Sequence, residues 1–127
     1  MNKTILVALA ACGLGGAITP AIAHHSFAMF DARQTFTANV VVTEFQWSNP
    51  HCWLEVEVPG GKGAHKNYKH LSLELTALGS LKAAGWGPRT LNPGDKVQIS
   101  YHPMRDGTAA GQLLTVKLAK GTVLKGQ

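Results

Sequence analysis

From residue 35 onward, apolar and polar positions alternate in short runs, the period-two signature of half-buried strands. Residues 35–47 are rich in Val, Thr and Phe and read as one long strand, with Phe36, Ala38, Val40 and Val42 on one face. Phe45 and Trp47 have the opposite parity, which predicts a bulge near Thr43-Glu44 that bends the strand. Ser48-Asn49-Pro50 is a turn signal. A second strand follows, in which Cys52, Leu54, Val56 and Val58 alternate with Trp53, Glu55 and Glu57. Leu71, Leu73 and Leu75 against Ser72 and Glu74 give a third. Thr76 can cap a short helix reaching Ala84, with Leu78 and Leu81 toward the core and Gly85 as its stop. Asn92-Pro93-Gly94-Asp95 has Pro and Gly placed for a type II turn. Val97, Ile99 and Tyr101 mark a fourth strand, Arg105-Asp106-Gly107 a turn, and Leu114, Val116 and Leu118 a fifth strand. Lys120-Gly121 then turns the chain into a short tail strand at 122–124.

Three strands, a helix and two strands is the order of the OB-fold, a five-stranded Greek-key barrel. A β-sandwich is the alternative, although it does not call for a helix before the fourth strand. The division is a leader over 1–23, an arm over 24–34 without clear periodicity, and an OB-like barrel over 35–127.

The first 23 residues follow a different grammar. Lys3 supplies a positive start, Ile5 to Ala11 an apolar stretch, and Ala21-Ile22-Ala23 a cleavage signal of the A-x-A kind. This predicts a signal peptide, export to the periplasm, and a processed chain beginning at His24. A permanent membrane anchor is the rival, and Gly13, Gly15, Gly16 and Pro20 argue against it. Leu9-Ala10-Ala11-Cys12 also resembles a lipidation signal, which would tether the protein through Cys12. Cleavage leaves 127 − 23 = 104 residues, enough for one modest core. Their formal charge is 11 − 7 = +4, since Lys3 is lost from the 12 basic residues. The basic residues are scattered, so nucleic acid is not indicated. Lys62, Lys66 and Lys69 lie beside Gly60, Gly61 and Gly63 and read as a solvated loop. Cys52 would be the sole remaining thiol, and its apolar parity predicts a buried core position.

Histidine carries the candidate chemistry. His24 and His25 would open the processed chain, His51 lies between the first two strands, and His102 ends the fourth. The loops holding His51 and His102 flank one binding face in an OB-fold, so the two are expected to lie close in space. A free His24 offers its α-amine and imidazole to one metal. A further nitrogen from His51 or His102 would complete a histidine brace, a nitrogen-rich tetragonal set that suits Cu(II). Chelation by the amine, the His25 amide and the His25 imidazole is a local alternative. Met29 and Met104 offer thioethers to Cu(I), and Asp31 or Asp106 could orient a histidine indirectly. No zinc-type spacing, nucleophile elbow, HExxH or phosphate loop is present. His65 and His70 beside the Lys-rich loop, and Glu55 with Glu57, read as solvated surface. No catalytic residue is assigned, so a copper carrier or sensor is expected ahead of a copper-dependent oxidase. The metal-free alternative is a module for a peptide, glycan or partner protein. Its contact surface would be Trp47, Trp53, Trp86 and Tyr101, with Met104 and Arg105 on the loop beside Tyr101.

Several segments together carry a resemblance. They are His24-His25-Ser26-Phe27, Phe30-Asp31, Glu44 through His51 (with Trp47-Ser48-Asn49-Pro50-His51), Gly85-Trp86, Leu91 through Asp95, and His102-Pro103-Met104-Arg105-Asp106-Gly107. In these the chain resembles the small bacterial exported proteins called domain of unknown function 6152. The resemblance implies a periplasmic protein and supplies no catalytic residues. The chain departs from the pattern at Cys52, where a small aliphatic residue is expected, and in the basic loop at 60–70.

Overall fold

A computed structural model describes residues 27–61 and 68–127. The expectations for the leader, Cys12, His24, His25, Lys62, Gly63, His65 and Lys66 lie outside the described residues. After a 3-10 turn at Phe27–Met29 come strands β1 (Phe36–Gln46), β2 (Trp53–Glu57) and β3 (His70–Glu74). Helix α1 (Leu78–Ala83) follows, then β4 (Lys96–Pro103), β5 (Ala110–Lys117) and β6 (Val123–Lys125).

β1 is long enough to serve two partners. Its first half pairs with β4, from Phe36 opposite Tyr101 to Val41 opposite Lys96. Its second half pairs with β2, ending with Gln46 opposite Trp53. The register slips between Val42 and Glu44, so Thr43 is the extra residue of the bulge that the change of parity predicted. β2 continues antiparallel to β3, and β4 to β5. β3 then meets β5 in parallel, with Ser72, Leu73 and Glu74 opposite Ala110, Gly111 and Gln112. That seam closes a five-stranded barrel in the OB order and removes the sandwich alternative; β6 extends β5 outside the closure.

Val40, Val42, Leu54, Val56, Leu71, Leu73, Ile99, Tyr101, Leu113 and Val116 fill the interior. Each such side chain contributes about 1.5–3 kcal/mol when withdrawn from water. The fifth strand differs from expectation. It begins at Ala110, and Leu113 rather than Leu114 is fully buried. The β4–β5 register slips between Ser100 and Tyr101, which inserts Leu114 as an extra residue and reverses the parity of what precedes it.

The helix also starts differently. Its N-cap is Ala77, with no side-chain cap. Thr76 is held by its backbone instead, its N–H donating to the Gly126 carbonyl at 2.8 Å. The helix end is as expected. Gly85 takes φ 90°, its N–H reaches the Lys82 carbonyl and that of Trp86 reaches Leu81 at 2.9 Å, a Schellman ending. Leu81 is fully buried at the barrel end, and Trp86, itself buried, lies 5.6 Å from the Phe45 ring. The Trp86 indole N–H donates to the Lys125 carbonyl at 2.8 Å, so this ring belongs to the core rather than to a contact surface. Cys52 is wholly buried, as its parity predicted, and burial pushes its thiol up, opposed by a 3.6 Å contact to the Ser48 carbonyl. Among the described residues, no helix is long and apolar enough to cross a membrane.

Candidate functional site

The segment before β1 lies along the loop between β4 and β5 as a short antiparallel ladder. Phe30 bridges Met104, the Asp31 N–H donates to the Pro103 carbonyl at 2.8 Å, and the Arg105 N–H donates to the Met29 carbonyl at 2.9 Å. Arg105 adds a second bond from Nε to the Phe30 carbonyl, 3.1 Å. Phe30 and Asp31 are buried in consequence. The predicted arm is therefore fastened to the barrel from Met29 on. Met29, Met104 and His102 are gathered in one neighbourhood, His102 and Met104 being two residues apart along the chain.

Asp31 is the hub of this segment. Its carboxylate accepts the Arg33 backbone N–H at 3.2 Å, Arg33 Nε at 3.0 Å and Gln34 Nε2 at 2.7 Å. The Gln34 N–H closes the turn on the Asp31 carbonyl at 3.0 Å. The Arg33 side chain, followed by the Gln34 amide, holds the Asp31 carboxyl well below the usual carboxylate range, against the upward push of burial. The folded pKa is depressed, so this contribution to stability is complete at neutral pH. It persists through the ordinary carboxylate region near pH 4 and fades only in stronger acid. A carboxyl-detected NMR titration should therefore find Asp31 ionising below the chain's exposed acids. Asp31→Asn should lower stability at pH 7 and progressively less as the pH falls. An Asp31 midpoint near 4 would contradict the pairing.

His102 is half-exposed at the end of β4, and its Nδ1 lies 2.7 Å from the Gln34 carbonyl, with Thr35 Oγ1 at 3.5 Å. A carbonyl only accepts, so Nδ1 carries the hydrogen and Nε2 keeps its lone pair. This is the usual posture of a metal-ligating histidine.

His51 has a different partner. The loop leading to it contains a cis Asn49-Pro50 bond, and the Ser48 hydroxyl donates to the His51 carbonyl at 2.9 Å. Its Nδ1 contacts the carboxylate of Glu74 on β3. The Glu74 side chain is only 6% exposed, and its Oε2 has no hydrogen-bond partner among the described residues. Register shows how this pair relates to His102. His102 is opposite Gln112, Gln112 is opposite Glu74, and Glu74 is opposite Trp53. At about 4.8 Å per strand, the backbones at His102 and Glu74 are roughly 10 Å apart. His102 leans toward β1 and His51 toward β3. The two share a side of the barrel but not a cluster. Among the described residues, no group of three or more His, Cys, Asp or Glu is arranged to hold a metal.

The remaining candidates scatter. Tyr101 is 1% exposed, with its ring 6.0 Å from Phe36, so it fills the barrel rather than presenting a surface. Burial, then the neighbouring Tyr68, raises its pKa. Trp47 is half-buried against Phe45, while Trp53 is half-buried on the outer face. Asp106 accepts the Thr108 N–H at 2.9 Å and shapes the β4–β5 loop. Glu55 is not simply solvated: His70 Nε2 lies 2.7 Å from one oxygen and the Ser72 hydroxyl donates to the other at 2.6 Å. Glu74 and Gln34 were not legible as site residues. Glu74 occupies a polar parity position that reads as solvated, and Gln34 acts through its backbone carbonyl, which leaves no trace in side-chain pattern. A shallow groove lined by Asn39, Lys96, Gln98 and Lys117 lies elsewhere and contains neither histidine nor carboxylate.

A closed OB-type barrel carrying a fastened N-terminal segment and a histidine-bearing outer face defines the architecture. The chain belongs to the Family of unknown function (DUF6152), which it matches over residues 13–114. No curated protein and no solved structure matches it.

Proposed function

We propose that the protein is an exported copper-binding module, a carrier or sensor, whose site forms where the start of the processed chain meets the β4–β5 loop. The observation that supports this best is the posture of His102: Nδ1 is committed to the Gln34 carbonyl, and the chain from Met29 on is fastened beside it. The amine and imidazole of His24 with Nε2 of His102 would make a nitrogen set suited to Cu(II); Met29 and Met104 would serve Cu(I). His25 is the local alternative to His102. His51 is a weaker candidate because of where it lies: its partner Glu74 is two strands from His102, away from the fastened N-terminal segment.

The test expresses the full chain with its leader, reads the N-terminus by mass spectrometry, and titrates the product with Cu(II) while following electron paramagnetic resonance. A second product carries one extra residue before His24. Tight binding by the first product alone is expected. Equal or absent binding by both would sink the copper assignment.

The outer face of β2 and β3 favours a second, metal-free reading. Trp53, Glu55, Glu57, His70 and Ser72 occupy it, with Glu44 directly opposite Glu55 on β1. Glu44, Glu55 and Glu57 are three of only seven acidic residues in a chain with twelve basic ones, and neither Lys nor Arg stands among these positions. Like charges directly opposite each other destabilise a sheet, so a basic peptide of a partner protein would suit this face. Failure to bind copper, with protection of Trp53 by a lysine-rich peptide, would favour it.

A further inference from the structure

We propose that Asp31 is the positioning residue for His102, deciding which ring nitrogen faces the ligand. The inference rests on the assignment of His102 as a ligand but has a readout that needs no metal. Two adjacent residues of β4 are tied to the two ends of one four-residue turn. Asp31 binds the Pro103 carbonyl through its N–H at 2.8 Å, and Gln34 receives His102 Nδ1 on its carbonyl at 2.7 Å. Between those ends the Asp31 carboxylate is the internal brace. It accepts the Arg33 N–H and guanidinium and the Gln34 side-chain amide, and the Gln34 N–H returns to the Asp31 carbonyl. The circuit runs Pro103, Asp31, Gln34, His102 and closes through the peptide bond between 102 and 103.

The chemistry of such a circuit is specific. A neutral imidazole places its hydrogen on either nitrogen, and the partner of one decides the other. Gln34 offers an acceptor only, so the hydrogen stays on Nδ1 and the lone pair on Nε2 points away from β1. That outcome needs the Gln34 carbonyl to remain where the turn puts it. Asp31 keeps it there because a carboxylate accepts at both oxygens, matching donors on Arg33 and Gln34 together. An amide at position 31 has one acceptor and one donor group. Either orientation sets its NH2 against a donor of Arg33 or Gln34, and the turn loses an anchor. Arg105 and Phe30 fasten the preceding residues independently. The segment is therefore expected to stay docked in Asp31→Asn while the Gln34 carbonyl loosens.

The experiment records nitrogen-15 resonances of the histidine rings in the exported protein, without metal, at a pH where they are neutral. The native protein is expected to show His102 as the Nδ1–H tautomer. Asp31→Asn should bring in the Nε2–H form, with the His51 signals, which report on an unrelated contact, unchanged. Cu(II) affinity should fall at least fivefold in the same variant. Asp31→Ala is the second variant, expected to shift the tautomer further. A native His102 in the Nε2–H form, or a tautomer unmoved in both variants, would overturn the proposal. A tautomer that shifts while copper affinity stays constant would leave the positioning intact and remove His102 from the copper site.

Discussion

Gly111→Ala is expected to destabilise the barrel by about 3 kcal/mol, the upper part of the range for overpacking a filled interior. Gly111 lies on the parallel seam, opposite Leu73 of β3 and Pro103 of β4. A Cβ built there falls 2.5 Å from the His102 carbonyl oxygen and 2.7 Å from Cδ2 of Tyr101. The first neighbour is backbone and cannot rotate away. The second belongs to a fully buried ring already packed against Phe36. Relief therefore requires parting β4 from β5 or β5 from β3. The measurement is urea unfolding of native and variant. A loss under about 1 kcal/mol would mean that the seam is looser than its register implies. Gly85→Ala offers a contrast: its Cβ would meet nothing within 4 Å, so any loss there comes only from the left-handed backbone of the helix end.

His102→Ala is expected to lower Cu(II) affinity at least tenfold, about 1.4 kcal/mol, while His51→Ala leaves it within about twofold. The difference follows from where each ring lies, since both have Nδ1 engaged: His102 stands beside the fastened N-terminal segment, and His51 is bound to a strand two away. His102 has Nδ1 turned to the segment that follows His24 and keeps Nε2 for a ligand. His51 is joined to a buried carboxylate on β3, so its loss should appear as lost stability, since Glu74 is left without that partner. Calorimetric titration with a competing chelator reads both affinities. A large loss in His51→Ala with none in His102→Ala would move the site to the β2–β3 face. No change in either would leave the local chelate of His24 and His25 as the surviving form of the site.

The barrel itself was legible because closed antiparallel strands repeat inside and outside with period two. Leu54, Val56, Leu71, Leu73 and Ile99 all obeyed it, and even the bulge at Thr43 showed as a parity jump between Val42 and Phe45. What escaped was set by contacts distant in sequence. Leu114 was displaced from the interior by a bulge defined by its partner strand. Thr76 stands one residue before the actual N-cap, Ala77, with its N–H bound to Gly126, fifty residues on. Aromatic residues are ambiguous for a related reason. Trp86 and Tyr101 suit a binding surface as well as a core, and only the packing of Phe45 and Phe36 against them decides. Of the site, the histidines were visible as residue types, but their partners were not. Gln34 works through a carbonyl, and Glu74 is buried by chain segments from elsewhere in the fold.

The seam between β3 and β5 has a kinetic consequence. The other four joints of the barrel are antiparallel ladders of five or six register pairs, while this one has three, in parallel, between segments almost forty residues apart; only β1 and β4 are more distant, and they share six pairs. Bringing such distant segments together costs chain entropy that few hydrogen bonds repay. The seam is therefore expected to form late and to be the first part of the barrel to breathe. Gln127 spans that gap, its amide donating to the carbonyls of Glu74 on one side and Leu113 on the other, both at 3.1 Å. The tail thus acts as a latch, and its fraying would set the pace at which the barrel opens.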